Sequence, residues 1–432
     1  MQVKYIYSAC LEISCGGFRI LTDPWFTDGI YDGSWYQYPK IDPFDYITEK
    51  PNLIYISHIH PDHYDPTFLK KLFKKFGQVK TIIPDLKYNS LLKKGALDGI
   101  DLAPIRSYSN EVVDIFIEEN DTGSISDIDS ALFVHEKSTG HTLLNLNDCI
   151  FNLAQNETLK EIIKSFTKKL DILTLGYTGA GPYPQTFYDL TTEIDVLKKE
   201  AKKKKLSFFN RYLEYVNYFD ARFNIPFAGE YILGGKLGVL NDYRGVADAS
   251  EIKGIDNKAV IFHSGGMIDL TSNLKEGIRF EKHDQNLMED YIKSISKNKM
   301  DYEHLDLNIH DLNLKNMLAI AAKAAAIKSE IEGNYDFIFT ILDSFGAIYS
   351  RLHLRTADST VTLINKSELS SFKAFSEIRL DFRYFVGLLS GQFHWNNAIV
   401  GSQLYTNRHP KNDFRREVQS YLYYLTSRNL KT

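Results

Sequence analysis

The stretch YISHIHPDHYD, residues 55–65, contains three histidines and two aspartates, although the whole chain has only 12 histidines in 432 residues. It continues the run NLIYIS (52–57), which is apolar, β-branched and aromatic, as expected for a strand buried on both faces. The histidines therefore lie in the loop at the carboxyl end of a buried strand, where α/β folds place their chemistry. The following DPTFLKKLFKKF has helical spacing, with Asp65 as the predicted N-cap.

The spacing within this loop predicts metal binding. His58 and His60 are two residues apart in an extended segment, so both imidazoles can reach one metal ion. Pro61 turns the chain and presents Asp62 and His63 to a second position, where we expect them to serve catalysis as well. Imidazole nitrogens and carboxylate oxygens suit zinc, iron or manganese, so we expect one or two divalent metal ions.

Composition excludes several classes of function. A net charge of −4 and a pI near 6.3 argue against nucleic acid as a partner, because phosphate binding needs a basic surface. No apolar run approaches the roughly 20 residues that span a bilayer, and the start lacks the pattern of a signal peptide. Three cysteines are too few for a disulfide framework. We predict a cytoplasmic protein with a small-molecule substrate.

Patterning along the chain predicts two parts. The opening residues alternate apolar and polar side chains and turn at Gly16-Gly17, as in a hairpin. Strand patterns dominate until the character changes near residue 281, and we predict domains 1–278 and 279–432. The second, mostly helical part contains the helix LKNMLAIAAKAAAIKSEIEG, the strand-like DFIFTILDS and TVTLIN, and a return to helix in SFKAFSEIRLDFRYFVGLLSGQFHWNN.

His-x-His-x-Asp-His after a buried strand, with LTDPW before it and LLNLNDC after it, resembles the metallo-β-lactamase superfamily. The resemblance implies an α/β fold, an αββα sandwich of two sheets packed face to face between helices. Here it would be followed by a C-terminal mixed α/β extension. It also implies that Asp148, in LLNLNDC, bridges the two metals.

The sequence is also similar to the lactamase-like part of the CMP-N-acetylneuraminate hydroxylase family, through ILTDPW, DILTLGYTGAGPYPQTF, NIPFAGEY and the tail HWNNAIVGSQLYTNRHP. In that tail, Trp395, Gln403 and Arg408 could supply stacking, amide and phosphate contacts to a substrate. They could equally pack and cap the C-terminal helices. Tyr177 begins a loop rich in glycine and proline that could form a wall of the site or simply connect elements.

The sequence departs from the hydroxylase pattern in its cysteines. That family carries a Rieske cluster, which needs Cys-x-His and Cys-x-x-His ligands. None of the three cysteines here has a histidine two or three positions later. A hydroxylase built on this chain would therefore need an external redox partner.

The sequence also departs from the superfamily in its metal ligands. The segment 120–130, where the resemblance implies a third histidine, contains none; Asp127, or else Asp121 or Asp129, could replace it. Where the last histidine is implied the chain has Phe227, and Glu230 or His263 could serve instead. Carboxylate ligands would move the preference from zinc toward iron or manganese. Alternatively, the site holds only one metal.

These observations predict a metal-dependent hydrolase. Only the resemblance implies that its substrate is a nucleotide sugar or another phosphorylated carbohydrate. Two alternatives remain: an iron-dependent hydroxylase that needs an external reductase, and a catalytically impaired scaffold that keeps part of the metal site.

Overall fold

A computed structural model describes residues 1–120, 128–329, 331 and 333–428. The strands are β1 (Gln2–Tyr7), β2 (Cys10–Cys15), β3 (Phe18–Thr22), β4 (Trp35–Tyr36), β5 (Leu53–Tyr55), β6 (Lys80–Pro84), β7 (Ala103–Ile105), β8 (Ser107–Ser109), β9 (Val113–Glu119), β10 (Ser130–Glu136), β11 (Thr142–Asn145), β12 (Ile172–Gly176), β13 (Phe223–Phe227), β14 (Ile232–Leu233), β15 (Phe262–Asp269), β16 (Leu274–Ile278), β17 (Asp336–Leu342), β18 (Ile348–Arg355), β19 (Thr360–Leu363), β20 (Phe375–Asp381) and β21 (Tyr405–His409). The helices are α1 (Ile30–Gly33), α2 (Pro66–Phe76), α3 (Ser90–Asp98), α4 (Leu153–Phe166), α5 (Ile194–Phe219), α6 (Gln285–Ile295), α7 (Leu314–Lys328), α8 (Phe382–Ser390), α9 (Trp395–Val400) and α10 (Arg416–Tyr424).

Two sheets form the first part of the chain. The larger has eight strands in the order β16-β15-β1-β2-β3-β5-β6-β7, and the other has six in the order β13-β12-β11-β10-β9-β8. They pack face to face over one apolar cluster, to which β2 contributes Leu11 and Ile13 and β9 contributes Val113 and Ile115. The strands β3, β5, β6 and β7 run parallel, so their carboxyl ends lie along one edge.

Strand β10 shows how the helical layers are built. Leu132 and Val134 point into the cluster between the sheets, whereas Ala131 and Phe133 point to the opposite face. Because successive side chains of a strand alternate, the outer face needs its own apolar cover. Helices α4 and α5 supply it over the six-stranded sheet, and α2 and α3 pack on the outer face of the eight-stranded sheet. The αββα sandwich implied by the resemblance is confirmed.

Two local predictions are also confirmed. Gly16 and Gly17 form the turn between β2 and β3 with φ of +50° and +86°, values that glycine adopts without a steric penalty. Asp65 caps α2, and its carboxylate accepts a hydrogen bond from the Phe68 backbone N–H at 2.9 Å.

The C-terminal part contains a five-stranded sheet in the order β19-β18-β17-β20-β21, packed with α7, α8, α9 and α10. The helix predicted from SFKAFSEIRLDF onward is wrong over Phe375–Asp381, which forms strand β20. This strand pairs in parallel with β17 and antiparallel with β21. Pairing with two distant segments outweighs the local pattern, and the helix α8 begins only at Phe382.

The two parts share an apolar cluster. Ile54 of β5 and Leu69 of α2 belong to the same cluster as Phe337 of β17 and Phe385 of α8. The eight-stranded sheet ends with β16 at Ile278, next to the predicted boundary, yet the core continues across it. The division into 1–278 and 279–432 stays a prediction.

None of the helices in the described part of the chain has the length and apolar character that crossing a lipid bilayer requires.

The shared core gives a test of the division. Limited trypsin cleavage at the exposed Lys282, which lies between β16 and α6, should leave both pieces associated and unfolding in one transition. Separation would expose the apolar face that they share. Size-exclusion chromatography and thermal melts of the nicked protein measure this. Release of an N-terminal piece that melts cooperatively by itself would show two independent units.

Candidate metal centre

The loop after β5 is held by a buried aspartate at the end of β3. The Asp23 carboxylate accepts hydrogen bonds from the Ser57 backbone N–H at 2.7 Å and from the Ser57 hydroxyl at 2.6 Å. Its Oδ2 also lies 2.9 Å from Nδ1 of His63. Because β3 and β5 are parallel neighbours, their ends bring these groups together. The segment from Ser57 to His63, called the histidine loop below, is therefore attached to the sheet at both of its ends.

His58 and His60 face each other. Nε2 of His58 lies 2.8 Å from Nδ1 of His60. Nδ1 of His58 lies 3.2 Å from the Asp129 carboxylate and 2.9 Å from the Ser57 hydroxyl. An acceptor at Nδ1 keeps the proton there, so the Nε2 lone pair points toward His60. Burial lowers the pKa of both imidazoles, which favours the neutral form that binds metals.

His63, Asp62 and Asp148 form the second group of donors. Nε2 of His63 lies 3.6 Å from an oxygen of Asp62 and 3.6 Å from an oxygen of Asp148. In the described part of the chain, ligand atoms of His58, His63 and Asp148 lie within 4.8 Å of one another. The Tyr31 hydroxyl donates to Oδ1 of Asp62 at 2.5 Å. The carboxylates of Asp62 and Asp148 thus each have one oxygen near the imidazole of His63.

The charges around His63 fit a cation. Burial alone would lower the pKa of His63, but three carboxylates raise it well above its ordinary value. These carboxylates belong to Asp62, Asp23 and Asp148. Partial burial opposes ionisation of Asp148, but His63 holds the pKa of this carboxylate below its usual range. A divalent ion would balance the same negative charge, so this donor set fits a metal.

The backbone conformation of Asn147 sets the direction of the Asp148 side chain. Asn147 has φ of +49°, a left-handed conformation that asparagine tolerates better than most residues. Its amide donates to the Ser130 carbonyl at 3.0 Å, which ties the end of β11 to the start of β10. The Asp148 side chain remains 40% exposed, whereas the His58 and His63 side chains are buried. The donors therefore face an opening rather than the core.

Asp129 lies in the segment 120–130, where the resemblance implies a histidine ligand that this sequence lacks. Its carboxylate contacts Nδ1 of His58, the nitrogen that faces away from His60. Burial, followed by the charge of Asp148, raises the pKa of Asp129 to about 7. A carboxylate against the second nitrogen of a histidine ligand orients the ring. Asp121 and Asp127 lie outside the described residues, and the role predicted for Asp127 stays a prediction.

The other candidate ligands lie apart from this cluster. Glu230 accepts hydrogen bonds from Arg279 at 3.0 Å and from the Tyr5 hydroxyl at 2.8 Å, and lies 3.0 Å from His283. His263 is exposed near the start of β15. Metal binding by His263 stays a prediction.

The candidate substrate contacts are mostly buried. Trp395 packs against Phe339, and its indole N–H donates to the Leu425 carbonyl at 2.8 Å. Gln403 is buried in the C-terminal part, and Tyr177 is buried at the end of β12. These are the contacts of packing residues, and their roles in substrate binding stay predictions.

Arg408 lies on β21 beside a different cavity. Its guanidinium lies 4.7 Å from the ring of Phe187 and 5.4 Å from that of Phe414. This cavity, of about 390 Å³, is lined by the C-terminal sheet, α10 and the loop near Tyr183. A contact between Arg408 and substrate also stays a prediction.

Sequence reasoning missed four residues that hold the donors: Asp23, Tyr31, Ser57 and Asn396. It included Asp129 among the aspartates of the segment 120–130, but preferred Asp127. Asp23 lies in LTDPW, one of the motifs that carry the resemblance. The other three are recognisable only by their contacts.

The parallel strand ends, the candidate donors and the two packed sheets define an αββα protein with a candidate metal site. The sequence matches the family described as a beta-lactamase superfamily domain over residues 2–226, just over half of the chain. The chain belongs to this superfamily, and the resemblance stated from the sequence is confirmed.

The chain is also similar to curated relatives and to solved structures. The chain is 27% identical over 242 residues to cytidine monophosphate-N-acetylneuraminic acid hydroxylase of Danio rerio, covering 54% of this chain and 38% of that protein. The Mus musculus hydroxylase is 25% identical over 241 residues, with 54% and 39% covered. The chain thus spans about two fifths of the length of these curated relatives. The isothiocyanate hydrolase from Delia radicum gut bacteria aligns at 12% identity and a TM-score of 0.43, covering 62% of this chain and 99% of that one.

Replacing both His58 and His60 with alanine should remove bound metal and leave the secondary structure intact, since loop ligands add little to core packing. Metal content by mass spectrometry and circular dichroism measure the two effects. His135→Ala is the matched control, because His135 belongs to neither donor group. It lies on β10, and its Nδ1 is 3.1 Å from the carboxylate of Asp114 on β9. Unchanged metal content in the double variant would contradict the assignment.

Proposed function

We propose that this protein is a metal-dependent hydrolase that acts on a nucleotide sugar or another phosphorylated carbohydrate. The observation that carries the proposal is the pair of donor groups, His58 with His60 and His63 with Asp62 and Asp148, at one edge of the sandwich. These residues would hold one or two divalent ions: zinc, iron or manganese. When bound, such an ion supplies an activated water at neutral pH and a Lewis acid for the scissile group.

The chain's own residues would keep the donors in their binding form. Asp23 accepts a hydrogen bond from the Nδ1–H of His63, so the lone pair of Nε2 points toward Asp62 and Asp148. Tyr31 occupies one oxygen of Asp62 and leaves the other available. Holding the side chains before substrate arrives lowers the cost of ordering them during the reaction.

The cavity beside the donors supports an anionic substrate. It has a volume of about 210 Å³ and is lined by Asp62 and Asp148 at one end and by Phe208 and Arg211 of α5. The Arg211 guanidinium lies 4.8 Å from the Phe208 ring. Within the described residues, Arg211 has no carboxylate partner at ion-pair distance. A guanidinium free of carboxylates is suited to bind a phosphate.

A second candidate function is an iron-dependent hydroxylase with an external reductase. It is favoured by the hydroxylases that match just over half of the chain. It requires a redox partner, since the cysteines offer no pattern for a Rieske cluster. A catalytically impaired scaffold with a partial metal site is the remaining alternative.

Metal analysis of protein purified without oxygen separates these functions. We expect zinc or manganese bound to the chain, together with release of product from sugar phosphates or nucleotide sugars. Two irons per chain, with turnover only in the presence of a reductase and oxygen, would instead establish the hydroxylase. Absence of bound metal after reconstitution with zinc, manganese and iron would contradict both enzymes.

Arg211→Gln should lower kcat/KM for a phosphorylated substrate by about 10- to 100-fold, the effect of losing one charge-assisted hydrogen bond. The loss should appear mainly in KM, and hydrolysis of an uncharged analogue should not change. Arg222→Gln is the matched control, because Arg222 also lies over a phenylalanine ring but outside this cavity. Equal losses for charged and uncharged substrates would contradict a phosphate contact.

A further inference from the structure

We propose that the C-terminal part of the chain is a functional component of the metal centre, with Asn396 as the positioning residue of His60. The inference rests on the proposed metal centre. It also gives a role to the tail sequence HWNNAIVGSQLY, which the hydrolase proposal leaves without one.

Asn396 lies against the outer nitrogen of His60. Its side-chain amide is 3.1 Å from Nε2 of His60, across 336 residues of sequence. Nδ1 of the same ring faces His58 at 2.8 Å. Nδ1 can bind a metal only when the ring proton lies on Nε2, and a half-turn of the amide presents an acceptor oxygen to that proton. In this structure the amide nitrogen Nδ2 faces Nε2; with the amide turned so that its oxygen accepts from Nε2–H, Asn396 would select the metal-binding tautomer and the orientation of the ring.

The position of Asn396 is fixed by its neighbours on α9. Its backbone N–H donates to Nδ1 of His394 at 3.1 Å, which caps the start of the helix. The adjacent Trp395 is buried, and its indole N–H donates to the Leu425 carbonyl. These contacts fix the backbone from which the Asn396 side chain projects toward His60. Trp395 acts here as the anchor of the helix that presents Asn396.

A second contact reaches the ligand Asp62 through Tyr31. The Tyr31 hydroxyl donates to Asp62, and Tyr31 and Asp32 have φ of +54° and +60°. Residues other than glycine adopt such angles only when the surroundings hold them. The Gln403 amide donates to the carbonyls of Tyr31 at 2.7 Å and Asp32 at 3.0 Å, and the Tyr384 hydroxyl donates to the Asp32 carboxylate at 2.8 Å.

The C-terminal part thus contacts His60 of one donor group directly and Asp62 of the other indirectly, through Tyr31. It reaches His60 through Asn396, and it reaches Asp62 through Gln403 and the Tyr31 turn. Loss of a group that orients a metal ligand typically lowers metal affinity by about 10- to 100-fold. A purely structural appendage would affect stability without this effect on affinity.

The test compares metal affinity in full-length Asn396→Leu, Asn396→Asp and Tyr31→Phe variants. Zinc is titrated in competition with a chelator, and cobalt is used as a spectroscopic probe of the ligand field. We expect Asn396→Leu to bind zinc about 10- to 100-fold more weakly. Asn396→Asp keeps an acceptor for the Nε2 proton, so it should restore most of the affinity. Tyr31→Phe should weaken binding of the metal held by Asp62 and His63.

Controls separate positioning from folding. Asn407→Leu makes the same change on β21, whose backbone pairs with β20 away from the histidine loop. It should bind zinc like the parent. The metal-free Asn396→Leu protein should melt near the parent temperature, whereas the rise in Tm on adding zinc should shrink.

The outcomes are distinguishable. Parent-like affinity in Asn396→Leu, or an equal loss in Asn407→Leu, overturns the positioning role while the metal centre stands. A parent protein that binds neither zinc nor cobalt overturns the proposed metal centre and this inference together.

Discussion

The metal centre depends on the hydrogen bonds of one buried carboxylate, that of Asp23. Burying a carboxylate is costly unless its oxygens find partners, and here they contact the backbone N–H and hydroxyl of Ser57 and the imidazole of His63. These contacts join the carboxyl ends of two parallel strands and attach the histidine loop at both ends. A loop held in this way can present several donors without being part of the apolar core.

The candidate metal ligands differ in exposure, and the more exposed of them lines an open cavity. His58 and His63 are buried against the sheet, whereas Asp148 faces the cavity that also contains Arg211. Burial keeps the imidazoles in place and excludes competing solvent contacts. The exposed carboxylate leaves room for a substrate beside the donors. The cavity thus combines two of the candidate metal ligands with the guanidinium of Arg211.

The family match ends at residue 226, before the C-terminal five-stranded sheet begins. That sheet and its helices nevertheless share an apolar cluster with β5 and α2, the elements on either side of the histidine loop. Contacts from α9 to His60 follow from this packing. The second part of the chain is therefore positioned to influence the chemistry of the first, and this explains why its tail carries polar side chains at buried positions such as Gln403.

The sequence by itself determined what depends on short-range patterns. The apolar run before His58, the alternating strands, the Gly16-Gly17 turn and the Asp65 cap are set by periodicity and local backbone preference. The superfamily was recognised by the resemblance of the histidine motif and its flanking segments. Tertiary structure alone decided what depends on distant partners. Strand β20 formed because two far segments pair with it, and Asn396 meets His60 across 336 residues. No local pattern encodes such contacts, because packing of the whole chain brings the groups together.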